Sequence, residues 1–406
     1  MVTGLGCVTP LGLGSDATWV GAREGRSGVG PITRFEPSDD LPVRFAGEVK
    51  GELELGDVSP KEARRYDRVI ALAIAAAREA VQEAGIHSPA DPERIGVAIG
   101  SGIGGLGTLE ASHKVLLSRG AKRVSPFTIP MMIGNMSAGL VAIQHGLQGP
   151  NLCHVSACAT GTHSIGEAAR SIERGDADAM LAGGSEAATT PLAVASFAAM
   201  RALSTRNDAP QAASRPFDRG RDGFVIAEGA AILVLEAEEH ARARGARVRA
   251  RLLGYGCGAD ASHITLPDEN GRGAAQCMQR ALRDAELSPA DIGMLNAHAT
   301  GTPSGDPAEV RAVREVFGSH ADALAVSATK SMTGHMLGAA GAVEALLCIR
   351  ALEEELAPPT INLDDLDPEC ALDHVALKAR PCRARVAMSN SFGFGGTNAC
   401  LVLGRG

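Results

Sequence analysis

Four side chains have the chemistry of a nucleophilic transfer site: Cys158, His298, Lys330 and His335. Cys158 stands in "HVSACATGTHSIGEAA" (154–169), among Ser156, Ala157, Ala159, Thr160 and Gly161, where nothing bulky shields a sulfur. A cysteine kept for packing has larger apolar neighbours. The flanks predict a strand end, a tight turn and a helix from about Thr162. A thiol there faces the partial positive charge of a helix start, which favours thiolate and makes Cys158 a candidate nucleophile. His298 lies in "LNAHATGTPSGD", and Lys330 and His335 in "TKSMTGHMLGAAGAVEA", which runs on to Glu344. Taken singly, the thiol reads as buried packing, His298 as a strand-end histidine bonded to backbone, and His335 as a helix cap. Lys330 is the least structural of the four, because a buried lysine beside an Ala/Gly-rich turn must find a partner. The other histidines, at 87, 113, 145, 154, 163, 240, 263, 320 and 374, read as surface or packing residues.

The elements that must position these groups alternate. Glycine-bounded apolar runs at 94–102, 179–186 and 230–236 read as buried strands, and Ala-rich periods at 66–85 and 273–287 read as helices. Such alternation indicates an α/β layered fold. The halves also echo each other. "AVQEAGIHSPAD" (80–91) matches "ALRDAELSPAD" (281–291), and "IGVAIGSG" matches "IGMLNAHATG" (292–301). "VSACATGTHSIGEAA" (155–169) matches "VSATKSMTGHMLGAA" (326–340), and "DGFVIAEGAAILVLE" (222–236) matches "SFGFGGTNACLVLG" (391–404). Four matches in one order indicate duplication, with one half over 1–250 and the other over 251–406. The first half carries an extra stretch, about 104–150, read as a cap or dimer region. Facing copies would bring Cys158, His298, Lys330, His335 and the glycine turn 393–396 to one centre.

Composition excludes other classes. A net charge of −8 leaves no nucleic-acid footprint. The short basic runs "KEARRYDR" (61–68) and "AKR" (121–123) read as solvated helix faces or as a docking patch for an acidic partner. Nine irregularly spaced cysteines form no CxxC pair, so neither zinc nor a disulfide framework is indicated, and a reducing, cytoplasmic setting fits. "MVTGLGCVTPLGLG" is no signal peptide and reads as a strand cut short, followed by turns. No run is long enough to span a bilayer. "GSGIGGLG" (100–107) satisfies GxGxxG, yet no acidic residue closes a following strand, and "SFGFGGTN" has no Walker lysine; a nucleotide is not expected.

At "VSACATG", "NAHATGTPSGD", "KSMTGHMLGAAGAVEA" and "SNSFGFGGTN" the sequence resembles the β-ketoacyl-acyl carrier protein synthases, most closely the type II elongating subclass. The resemblance covers essentially the whole chain. It implies the thiolase fold, an α/β/α/β/α stack of two duplicated halves, and a homodimer. It implies that Cys158 takes the acyl chain, while His298 and His335 bind the malonyl thioester carbonyl and assist loss of its carboxylate. Lys330, paired with Glu344, would orient the histidines, with Asp306 in support. Backbone N–H groups at Cys158 and Phe394, with Gly395 in the same turn, would form an oxyanion site and gate. Thr300 and Thr302 would bind the phosphopantetheine arm, and Ile103 and Phe394 would line the acyl pocket. Arg64, Arg65, Lys122, Arg123 and Arg201 would dock the acyl carrier protein. The resemblance implies no metal and no cofactor beyond the carrier's phosphopantetheine. "AEGAA" (227–231) departs from the family's commoner Gly-Asp/Glu-Gly-Ala-Gly, away from these sites. A polyketide ketosynthase shares every motif, and a non-catalytic heterodimer partner is the reading from another class. Retention of the Cys, both His and the Lys disfavours the latter. The lack of a C-terminal catalytic Cys-Gly motif disfavours a thiolase.

Overall fold

Residues that alternate inward and outward along a strand can serve two cores at once, and this chain uses that property throughout. The computed structural model describes residues 1–87 and 89–406; Ser88, in the first Ser-Pro-Ala-Asp echo, lies outside them. The strands that carry the fold are β1 (Val2–Thr9), β2 (Ile95–Gly100), β3 (Asn151–Leu152), β4 (Ala179–Glu186) and β5 (Gly229–Glu236). They are followed by β6 (Ala250–Ala259), β7 (Met294–Asn296), β8 (Ala325–Ser327), β9 (Val386–Gly393) and β10 (Thr397–Arg405). They join in the order β8-β7-β9-β10-β6-β1-β5-β4-β2-β3, with a two-residue strand, Gly12–Leu13, paired to β1.

The sheet is two copies of one pattern. In the first, β1 pairs antiparallel with β5, β5 antiparallel with β4, and β4 and β3 lie parallel to β2. In the second, β6, β10, β9, β7 and β8 repeat the same sequence of antiparallel and parallel pairs. The copies meet at one seam, where Val2 pairs with Ala250.

Helices cover both faces of each copy. Helices α1 (Arg68–Ala84), α2 (Leu106–Arg119) and α3 (Met136–His145) belong to the first half, together with α4 (Thr160–Glu173). Helices α5 (Arg272–Asp284), α6 (Gly305–Phe317) and α7 (Ala340–Glu354) belong to the second. Ile232 and Val234 of β5 pack outward with α1 and α3, whereas Leu233 and Leu235 pack inward with α4 and α7. On β10, Leu401 and Leu403 join that inner core, while Cys400 and Val402 face α5 and α6. The result is five layers, α/β/α/β/α, the thiolase fold. Helix α7 is buried almost all round, from Ala340 to Leu352, as a helix sandwiched between two sheets must be.

The strands expected at 179–186 and 230–236 form, the latter one residue longer, whereas of 292–301 only Met294–Asn296 is strand. The first strand, β1, is buried from Val2 to Thr9. One echo is out of register. Val326 pairs with Leu295 on β7, and the matching place beside Val97 is held by Asn151, not by Val155. The structural counterparts are the 3-10 turns Ala157–Ala159 and Leu337–Ala339, each just before a central helix. Both open on a left-handed residue, Ala157 at φ 49° and Leu337 at φ 44°. Helix α4 therefore starts at Thr160 rather than Thr162, and α7 starts at Ala340, past His335.

Candidate active site

The turn before α4 carries Cys158, and the chain between β8 and α7 carries Lys330 and His335. His298 follows β7 directly. Placing these segments at the ends of facing sheets brings the three groups together. One ligand atom each from Cys158, His298 and His335 lies within 4.8 Å of the others. The His335 Nε2 is 2.9 Å from the Cys158 sulfur. The two imidazoles meet edge to face, with ring centres 5.4 Å apart. Cys158 is 7% exposed and His335 2%, so the small neighbours of Cys158 leave it near a chamber and not in open solvent.

The electrostatics follow from burial. Burial pushes the Cys158 thiol up to about 12, while the Lys330 cation and the Phe394 backbone N–H pull the other way. Desolvation thus outweighs the helix start that favours thiolate. Both imidazoles are held well below their ordinary value, by burial first and then by Lys330. Lys330 Nζ sits 3.3 Å from His298 Nδ1 and also donates to Glu344 on α7. An ammonium can only donate, so His298 Nδ1 accepts and the ring proton resides on Nε2. Burial pushes the Glu344 carboxyl up to about 7, against the pull of Lys330.

A chamber of about 390 Å³ opens above the trio, walled by Ile103, Phe197, Arg201, Phe224, Leu337, Phe392 and Phe394. Thr300 and Thr302 line it too, their hydroxyls 3.2 Å apart. Asp306 is fully buried beneath them and accepts from the N–H groups of Gly301, Thr302 and Phe217, which fixes the threonine loop. Burial pushes its carboxyl to about 6. Gly395 departs from expectation. It does not line the chamber; it turns the chain at φ 80° and donates to Ile264 O, so Gly393 and Phe394 form the wall. Arg64, Arg65, Lys122 and Arg123 are exposed, the Arg65 guanidinium resting 4.6 Å over the Phe127 ring. Arg201 is exposed too, at the chamber wall.

Beside the site, Glu186 and Glu309 are buried carboxylates that escaped the sequence reading. Glu309 on α6 accepts from the N–H groups of His298 and Ala299 and from Asn390 Nδ2. Glu186, which ends β4, accepts from Gly102 N–H at 2.8 Å and Ile103 N–H at 3.3 Å. Those are the amides of the GxGxxG run, so a carboxylate already occupies the place a phosphate would need. The Cys-His-His trio has donors for a zinc ion, but the Lys330 ammonium against His298 opposes a second cation there. Among the described residues no helix is long and apolar enough to cross a membrane.

Residues 1–241 match the N-terminal domain of beta-ketoacyl synthase and residues 249–364 match its C-terminal domain. The chain is 50% identical over 406 residues to 3-oxoacyl-[acyl-carrier-protein] synthase 2 of Coxiella burnetii, covering 100% of this chain and 98% of that protein. It is 49% identical over 403 residues to the synthase of that name from Staphylococcus aureus, covering 99% and 100%. Among solved structures, a beta-ketoacyl synthase from Burkholderia phymatum superposes with a TM-score of 0.93 at 38% identity, covering 100% and 98%. A type II polyketide ketosynthase in complex with its acyl-carrier protein gives 0.91 at 34%, with the same coverage. A thiol facing two neutral imidazoles across paired halves, with family matches along both, makes this chain a member of the β-ketoacyl synthase family.

Proposed function

We propose that this β-ketoacyl synthase lengthens fatty acyl chains by decarboxylative Claisen condensation, with Cys158 as nucleophile and His298 and His335 as the oxyanion donors. The observation that carries the reading is the trio itself, a thiol and two imidazoles within 4.8 Å at the floor of a largely apolar chamber. Cys158 attacks the acyl thioester of a carrier protein, and its proton passes over 2.9 Å to His335 Nε2 and on to the departing pantetheine thiolate. The N–H groups of Cys158 and Phe394 would stabilise the oxyanion formed in that step. Malonyl carrier protein then places its thioester oxygen against the His298 Nε2–H and against His335, whose ring proton must move from Nδ1 to Nε2 once the thiol proton has been passed on. Neutral donors in a dry site stabilise the developing enolate without reorganisation. Carbon dioxide leaves, the enolate carbon attacks the acyl-cysteine and breaks its carbon–sulfur bond, and the expelled Cys158 thiolate regains a proton from water as the β-ketoacyl carrier protein departs. Lys330, held by Glu344, fixes the His298 tautomer; Thr300 and Thr302 would bind the pantetheine arm.

Fatty acid elongation is favoured over polyketide synthesis by identity, 50% to the curated synthases against 34% to the polyketide ketosynthase. The partner would be an acyl carrier protein docked on Arg64, Arg65, Lys122, Arg123 and Arg201, and no cofactor of the enzyme's own takes part. We also propose a homodimer formed along the free edge of β3, where Ile143 and Val155 are 73% and 65% exposed. Nine free thiols suit a reducing cytoplasm.

Mass spectrometry after incubation with acyl carrier protein thioester tests the reading. The expected result is one acyl adduct on Cys158, absent from Cys158→Ala, which keeps malonyl decarboxylation. His298→Ala should still form the adduct but lose about 10²–10³-fold in decarboxylation. A folded wild-type chain that takes no acyl group on Cys158 would leave only a scaffold role.

A further inference from the structure

Glu186 belongs to no step above, yet it is completely buried and ties the two halves together beside the chamber. Its Oε1 accepts from Ser101 Oγ at 2.9 Å and from Ile103 N–H, and its Oε2 accepts from Gly102 N–H and from Gly338 N–H at 3.1 Å. Ser101, Gly102 and Ile103 follow β2 in the first half, whereas Gly338 sits in the turn between His335 and α7 in the second. The contact is tight. A Cβ on Gly102 would lie 2.7 Å from Glu186 Oε2, and one on Gly338 would lie 2.4 Å from Gly102 N. Ser101 Oγ in turn accepts from Gly104 N–H, so the whole 101–104 turn hangs on this carboxylate. Ile103 and Leu337, borne on the two turns it joins, both face the chamber beside Cys158.

We propose that Glu186 is the specificity-positioning residue of the acyl chamber, fixing the Ile103 wall against the Leu337 turn and so setting which acyl chain lengths Cys158 accepts. The inference rests on the condensing reading. Four donors converge on one buried carboxylate, and that bonding specifies the geometry of the wall more strongly than apolar contact does.

The chemistry selects the test. In Glu186→Gln the amide oxygen keeps Gly102 and Gly338 as donors when its NH₂ faces Ser101, whose hydroxyl can accept. Ile103 N–H is then left without an acceptor and the wall moves. The assay reads acyl transfer to Cys158 from butanoyl, octanoyl and dodecanoyl carrier protein, alongside malonyl decarboxylation and the thermal midpoint. Glu186→Gln should change the ratio of dodecanoyl to butanoyl transfer about tenfold, as expected for one lost charge-assisted bond. Decarboxylation should stay within a factor of about three, since its oxyanion donors are elsewhere. An unchanged ratio, or equal loss of transfer and decarboxylation, overturns the proposal. If Glu186→Gln does not fold, Ser101→Ala removes only the hydroxyl that ties the same turn to Oε1, and the same change in ratio is required of it. Wild-type chain that forms no acyl-cysteine sinks the condensing reading itself, whereas acylating wild type with an unaltered variant sinks only the role of Glu186.

Discussion

A buried thiol that must become a nucleophile needs somewhere for its proton to go. On the proposed mechanism that place at Cys158 is His335 Nε2, 2.9 Å away, and because burial raises the thiol and lowers the imidazole, the resting pair is neutral. Thiolate then grows as pH rises toward the raised thiol value. Iodoacetamide alkylation of Cys158 should climb about tenfold per pH unit between about pH 7 and pH 9, without a plateau. The measurement belongs in a Cys257→Ser background, because Cys257 is exposed and would react as well; a rate flat across that range would mean a preformed thiolate. The four chemistry-bearing residues were legible because Cys, His and Lys stand out among Ala and Gly. Their protonation was not, since it depends on burial that only the folded halves create. Glu186 and Glu309 were missed because each is a single acid. The usable signal was "AMLAGGSE", where an acid closes a wholly buried strand and must therefore find donors.

Between strand and helix, the repeat is written in backbone proximity more than in the motifs that first suggested it. Cβ atoms on Gly4 and Gly6 of β1 would lie 2.3 and 2.1 Å from the carbonyls of Ala80 and Ala76 on α1. On β6, Gly254 and Gly256 stand the same way, 2.5 and 2.3 Å from the carbonyls of Ala281 and Cys277 on α5. "GLGC" (4–7) and "GYGC" (254–257) are thus one element twice, an echo the sequence reading passed over because the runs are short. It accepted Val-Ser-Ala instead, a likeness of letters that the pairing of Val326 with Leu295 separates. Gly256→Ala should push α5 off β6 and lower stability by about 1–3 kcal/mol or more. Thermal unfolding checks this, and a midpoint within a degree or so of wild type would show the layer to be softer than its spacing implies.

For the molecule as a whole, surface charge bears on how a carrier-borne substrate would arrive. The chain carries −8, so exposed cations such as Lys122 and Arg123 form local exceptions on an acidic surface. Reversing both to Glu should raise KM for carrier-borne substrate about five- to tenfold at low salt, and less above about 0.1 M, where screening sets in. Turnover of a free pantetheine thioester should be unaffected, and equal loss with both substrates would place the effect in the fold. The five-layer architecture was legible through the family motifs and the alternating elements. The Val2–Ala250 seam was not, because a single bridging pair leaves no periodic mark.

That seam has a genetic corollary. The sulfur-bearing and imidazole-bearing halves flank it in one polypeptide, so each copy holds its own cluster of Cys158, His298 and His335. If the proposed homodimer forms, co-refolding a chain that lacks the Cys158 sulfur with one that lacks the His335 ring should give mixed dimers in which no cluster is whole, and the two defects should fail to complement.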